Sequence, residues 1–146
     1  MSVIYTLDAS VFLSAFNPKE PHHPESRRFL DWLRKAAAPI IVPTLLLPEM
    51  AAVLVQGRRD ADLVRRFTEA LRRLPHLTLV PLDEVLASRA AGAAAEFGLR
   101  GSDAVYAGVA LRFGSRLVTL DAEQRERVSP FVPVRHPAEV LMEIGI

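Results

Sequence analysis

Four carboxylates, Asp8, Glu49, Asp103 and Asp121, lie far apart in the chain but at comparable points of its pattern. Asp8 closes a short β-branched and aromatic run, Val3 to Leu7, and Asp121 closes another, Arg116 to Leu120. Asp103 sits at the opening of a helical segment in Gly101-Ser102-Asp103-Ala104, and Glu49 lies early in the helical segment after a third apolar run. Carboxylates gathered without matching bases repel one another, and their pKa values rise. Divalent ions relieve that repulsion. Hard oxygen ligands favour Mg²⁺ or Mn²⁺ over zinc, and the chain contains no cysteine. A metal so held lowers the pKa of water and stabilises charge on a phosphoryl oxygen. Each acid also has a structural reading. Asp8 can cap a helix from Ala9, and Asp121 one from Ala122. Asp103 can favour a helix dipole, and Glu49 can be a solvated surface residue. Only a joint location favours chemistry.

That location depends on the intervening elements. Strand-like runs at Val3 to Leu7, Ile40 to Val42, Leu77 to Val80 and Arg116 to Leu120 alternate with helical segments. The helices are expected over Ala9 to Phe16, Glu25 to Ala37, Thr44 to Gln56, Asp60 to Leu74, Asp83 to Phe97 and Asp103 to Phe113. Thr44 and Ser102 are expected caps, and Gly57, Gly98 and Gly114 expected stops. Pro48 falls in the first turn of its helix or marks its start. Phe29, Leu30 and Leu33 should face inward from the second helix, and Leu63, Val64, Phe67 and Leu71 from the fourth. A short helix after Asp121, a strand over Val132 to Val134 and a helix opening at Pro137 complete the chain. The alanine-rich run Ala90 to Ala95 suits a helix packed closely on a sheet. Strands separated by helices imply right-handed crossovers and a mostly parallel sheet covered on both faces, a three-layer α/β/α sandwich. Ligands in such sheets bind beyond the carboxyl ends of the strands, where all four acids would converge.

The 146 residues fit one domain, and half are hydrophobic, enough for a core without disulfides. Eighteen bases, all arginine except Lys19 and Lys35, balance 17 acids. This excludes an acidic tail or a polycation. Met1 to Asp8 lacks the basic start of a secretory signal, and no apolar run approaches a membrane span, so a soluble cytoplasmic protein is expected.

Ile4-Tyr5-Thr6-Leu7-Asp8-Ala9-Ser10 resembles the opening of a PIN domain, in which an apolar strand delivers an Asp followed two residues later by Ser or Asn. Leu99 to Ala110, with Ser102-Asp103-Ala104-Val105-Tyr106-Ala107 at its centre, is similar to that family's middle acidic helix. Leu117-Val118-Thr119-Leu120-Asp121 resembles its last acidic motif, and Glu49 falls where the family carries its second acid. The resemblance spans nearly the whole chain in the right order. It implies a metal-dependent endoribonuclease, most often a VapC-type toxin of a toxin–antitoxin pair. Asp8, Glu49, Asp103 and Asp121 would then be catalytic ligands for Mg²⁺ or Mn²⁺, with Ser10 and Thr119 as polar support. A metal-activated water would attack an RNA phosphodiester in line, with the 3′ oxygen departing. Homodimerisation and an antitoxin protein partner are implied too.

Without the four acids, 18 bases face 13 other acids, a balance of +5 suited to RNA. Arg58-Arg59, Arg65-Arg66 and Arg72-Arg73 recur every seven residues, so Arg65, Arg66, Arg72 and Arg73 can line an RNA or partner contact. The same stripe can be a solvated face with Asp62 and Glu69 as counter-charges, the reading with slightly more in its favour. His22-His23 reads as a solvated loop, and Tyr106 and Phe113 as core.

Other classes fit less well. An aspartyl-phosphate phosphatase wants an acid where Ser10 stands, a receiver domain wants a lysine beyond a later strand, and no glycine-rich nucleotide loop is present. The alternative outside enzymes is an inactive PIN-like module that binds RNA or protein.

Overall fold

The computed structural model describes residues 3–56 and 60–146. The expected stop at Gly57 and the Arg58-Arg59 pair lie outside them. The described residues form five strands and eight helices: β1 (Tyr5–Leu7), α1 (Ala9–Phe16), α2 (His23–Ala36), β2 (Ile40–Pro43), α3 (Leu46–Leu54), α4 (Ala61–Arg72), β3 (Leu77–Val80), α5 (Glu84–Phe97), α6 (Gly101–Phe113), β4 (Arg116–Val118), α7 (Ala122–Val128), β5 (Val134–Arg135) and α8 (Pro137–Ile144).

The described strands form one parallel sheet in the order β3-β2-β1-β4-β5. Period-two alternation explains how it is covered. Tyr5, Leu7, Ile40, Val42 and Val118 face a core with Val11, Phe12, Phe29, Leu33, Leu46, Met50, Phe67 and Leu71, drawn from α1 to α4. Leu117 and Val134 face the opposite core, built from α5, α6 and Val128 of α7. Thr6 is buried between strands, where its hydroxyl donates to the Ile41 carbonyl at 2.7 Å and meets the Ser115 hydroxyl at 2.6 Å. This is the expected sandwich.

The chain winds outward from β1 through β2 to β3, then returns to β1's other side with β4 and continues to β5. The order therefore reverses between β1 and β4. The crevice beyond the carboxyl ends of that pair is the switch point, the position where such sheets take ligands. Among the described residues no helix is long and apolar enough to cross a membrane.

Several local expectations are corrected. Thr44 does not cap α3, which starts at Leu46 without a side-chain cap; its hydroxyl instead accepts the Leu82 N–H at 3.3 Å, tying two loops together. Pro48 sits in the first turn, where a missing N–H costs nothing. Ser102 is not a cap either, because α6 already begins at Gly101 with Arg100 at its N-cap. The alanine run packs chiefly on α6 rather than on the sheet. A Cβ on Gly108 would come within 3.4 Å of the Ala90 backbone nitrogen, so the small residues on both helices permit the approach. In α4 Phe67 and Leu71 are buried, while Leu63 and Val64 are only half-buried. His22-His23 is not a free loop. His23 opens α2 and its Nδ1 lies 2.8 Å from the Ser14 carbonyl, while His22 stacks edge-on against His136. The last strand is Val134–Arg135, starting two residues later and ending one residue later than expected.

Candidate metal-dependent active site

Asp8 follows β1 directly and extends its ladder, its N–H donating to the Val118 carbonyl at 3.2 Å. Its carboxylate caps α1. Oδ1 accepts the Ser10 N–H at 3.1 Å and the Ser10 hydroxyl at 2.5 Å, and Oδ2 accepts the Thr119 hydroxyl at 2.5 Å. Each hydroxyl gives its only proton to Asp8 and so acts as an acceptor toward the β4–α7 link. Ser10 Oγ accepts the Leu120 N–H, and Thr119 Oγ1 accepts the Asp121 N–H, both at 3.1 Å. Two short side chains thereby fix Asp8 against the segment that carries Asp121. The capping and site readings of Asp8 are thus compatible.

Asp121 does not directly follow its strand, because β4 ends at Val118 and Thr119-Leu120 form the link. It caps α7 as expected, its Oδ1 accepting the Glu123 and Gln124 N–H groups at 3.0 and 3.3 Å, which leaves Oδ2 outside the cap. Asp103 lies in the first turn of α6 and Glu49 in the first turn of α3, both half-buried. The four acids line one open pocket of about 270 Å³ with Ser10, Ser102, Tyr106 and Arg100, over the switch point. Thr119 stands behind Asp8, fully buried.

Electrostatics follow from burial. Asp8 is 6% exposed, and burial pushes its carboxyl up to about 6 despite the hydroxyls that favour its charged form; Asp103 adds to the rise. Burial also raises Asp103, countered by Arg100. Among the described residues Arg100 is the only base lining this pocket, its Nε 3.4 Å from Asp103 Oδ2 and its Nη2 3.6 Å from Asp121 Oδ2.

Three residues complete the arrangement beyond those assigned to the site from sequence. Tyr106 is core, as expected, but its hydroxyl emerges to donate to Glu49 Oε1 at 2.6 Å, and burial and that carboxylate raise its pKa. Gln124 is buried beneath α6, its Nε2 3.5 Å from the Asp103 carbonyl while its own N–H bonds Asp121. Arg100 is the third. An apolar strand ending in Asp is a visible signal; a polar tip on a core residue is not.

The arginine stripe is not brought to the site. Arg65, Arg66, Arg72 and Arg73 are exposed on α4 and none lines the acidic pocket. Arg65 and Arg66 both pair with Asp62, the local counter-charge expected of a solvated face.

The donors are all hard oxygens. Among the described residues no three His, Asp or Glu side chains lie close enough to chelate one ion as they stand. Mg²⁺ does not require such a cage, because it retains several waters and takes one or two carboxylates plus substrate oxygens. A wide acidic pocket around an undercompensated Asp8 fits that demand.

No curated protein sequence matches the chain. Among solved structures it is similar in fold to VapBC2 from Rickettsia felis bound to a promoter DNA fragment, at 17% identity and a TM-score of 0.71, covering 92% of this chain and 98% of that one. It is also similar to PAE2754 from Pyrobaculum aerophilum, at 23% identity and TM-score 0.69, over 97% and 89% of the two chains. A third likeness is to Mycobacterium tuberculosis VapC20, a sarcin–ricin-loop-cleaving toxin, at 17% identity and TM-score 0.69, over 90% and 98%. The PIN domain model matches residues 5–128, from the strand that delivers Asp8 to the end of the helix that Asp121 caps, and the chain belongs to the PIN domain family.

Proposed function

We propose that this protein is a metal-dependent endoribonuclease that hydrolyses RNA phosphodiesters, and that it is the toxin of a toxin–antitoxin pair. The observation that carries the reading is Asp8: a buried carboxylate held by two hydroxyls and opening, with Asp103, Asp121 and Glu49, into one pocket at the sheet's switch point. A structural cap alone does not require three further acids nearby. The fold likenesses to VapBC2, a toxin–antitoxin complex, and to the cleaving toxin VapC20 support the same reading.

Asp8, Asp103, Asp121 and Glu49 would hold Mg²⁺, some directly and the others through its retained waters, with Mn²⁺ able to substitute. The ion would lower the pKa of water and stabilise charge on a phosphoryl oxygen. The chain's own residues set the geometry. Ser10 and Thr119 keep Asp8 in one rotamer and in the acceptor state, Tyr106 holds Glu49 against the pocket wall, and Gln124 ties the Asp103 carbonyl to the Asp121 carboxylate. A cytoplasmic homodimer restrained by a protein antitoxin is part of this proposal.

Cleavage of a structured RNA by Asp8→Asn and Asp103→Asn tests it. Each variant should lose at least about a hundredfold in rate, the scale of removing one electrostatic group from an active site. Circular dichroism should stay that of the wild type. A wild-type rate in either variant would reject the site, whereas parallel loss of folding and activity would favour capping alone.

A further inference from the structure

Arg100 is badly placed for local stability. It occupies the N-cap of α6, makes no side-chain cap bond there, and brings positive charge to the positive end of the helix dipole. Its side chain is 80% exposed, so packing does not explain it. What it reaches is functional. Nε lies 3.4 Å from Asp103 and Nη2 3.6 Å from Asp121, so one guanidinium spans two proposed ligands. The contacts are single and long, unlike the close bidentate pairing arginine makes when it is locked. It also lines both the acidic pocket and the adjoining cleft with Gln124 and Arg127, so it stands at the rim between them.

We infer that Arg100 is an RNA-phosphate contact parked on Asp103 and Asp121, released to the substrate when those carboxylates take up a divalent ion. This rests on the metal-dependent nuclease reading. A guanidinium and a divalent ion compete for the same lone pairs and repel each other. An exposed ion pair is weak, so release costs little. A phosphate arriving at the pocket offers the freed fork a planar, bidentate partner. Arg100 would thus keep the acids partly neutralised before the reaction and hold substrate during it.

The test uses the full chain, with Arg100→Ala and Arg100→Lys. Mn²⁺ binding is followed by titration calorimetry without RNA. Binding of a short labelled single-stranded oligoribonucleotide is followed in Ca²⁺ at several salt concentrations. Arg100→Ala should bind Mn²⁺ about threefold tighter, having lost its internal competitor. It should bind RNA about fivefold more weakly, with a salt slope flatter by about 0.7, the loss of one phosphate contact. Arg100→Lys should restore the slope, because the charge returns. A merely structural role would not move metal and RNA affinities in opposite directions. Unchanged or weaker Mn²⁺ binding in Arg100→Ala overturns the parking, and an unchanged RNA slope overturns the phosphate contact. If the wild type itself binds no Mn²⁺, the metal-dependent reading fails, and this proposal falls with it.

Discussion

The two walls of the acidic pocket differ in how they hold the same kind of side chain. On the β1–β4 wall Asp8 is buried, and hydroxyls at 2.5 Å grip both its oxygens. On the α6–α7 wall Asp103 and Asp121 face a solvent-exposed guanidinium at 3.4 and 3.6 Å. The first wall is tightly hydrogen-bonded and electrostatically costly; the second is paired by longer, exposed contacts. A site that must both fix a reference carboxylate and admit an ion with a flexible RNA strand gains from that division. The cost falls on the buried wall, where no base among the described residues neutralises Asp8.

That cost is measurable through pH. The folded Asp8 carboxyl titrates at about 6 against an ordinary value of 3.8, so the native state holds the proton more tightly than the unfolded chain. Wild-type stability should therefore fall as pH rises through that window, with the full penalty above it, at most about 3 kcal/mol. Asp8→Asn keeps a capping oxygen and removes the charge. In chelator its thermal midpoint should exceed that of the wild type by several degrees around pH 7.5, and the gain should vanish near pH 4. A gain independent of pH would mean that charge burial is not its source.

Thr119→Val attacks the grip rather than the charge. It removes the donor to Asp8 Oδ2 and the acceptor of the Asp121 N–H while preserving shape. Stability should drop by about 1–3 kcal/mol, the range for stranding a buried polar group, with cleavage reduced about tenfold. Denaturant melts and initial rates check both. A rate loss without a stability loss would place the hydroxyl's role in the reaction rather than in holding Asp8.

Tyr106→Phe acts on Glu49, which is half-exposed and can be hydrated instead. Stability should change by less than about 1 kcal/mol and cleavage by a few-fold. The smallest effect is expected on α4, away from both walls. Arg66→Ala combined with Arg73→Ala should leave single-strand RNA affinity and its salt slope unchanged. A slope flatter by more than about 0.7 would return the stripe to the RNA path.

The sequence made the positions of Asp8 and Asp121 legible because each ends an apolar run, and parallel topology brings such ends to one edge. Ser10 and Thr119 were legible only through the resemblance to the family's motifs, and their second role, accepting the Leu120 and Asp121 N–H groups, depends on a tertiary approach. Tyr106 reads as core because it is core; only its terminal oxygen belongs to the site. Gln124 looks like an ordinary polar helix residue, and its burial follows from how α7 meets α6. Capping preference pointed to Ser102, whereas the structure puts Arg100 at the N-cap against that preference. The alanine run gave helix and close packing but not the partner, since a sheet and a second helix both accept small side chains.

If this pocket directs in-line hydrolysis of RNA through a divalent ion, the reaction products carry the record of it. The most direct measurement is the end chemistry of products from a labelled structured RNA, compared in Mg²⁺ and after chelation with EDTA. Cleavage should occur only with the ion and leave 3′-hydroxyl and 5′-phosphate ends. Cleavage that persists in EDTA and leaves 2′,3′-cyclic phosphates would contradict it, because the 2′-hydroxyl would then be the nucleophile and the four acids would have no ion to hold.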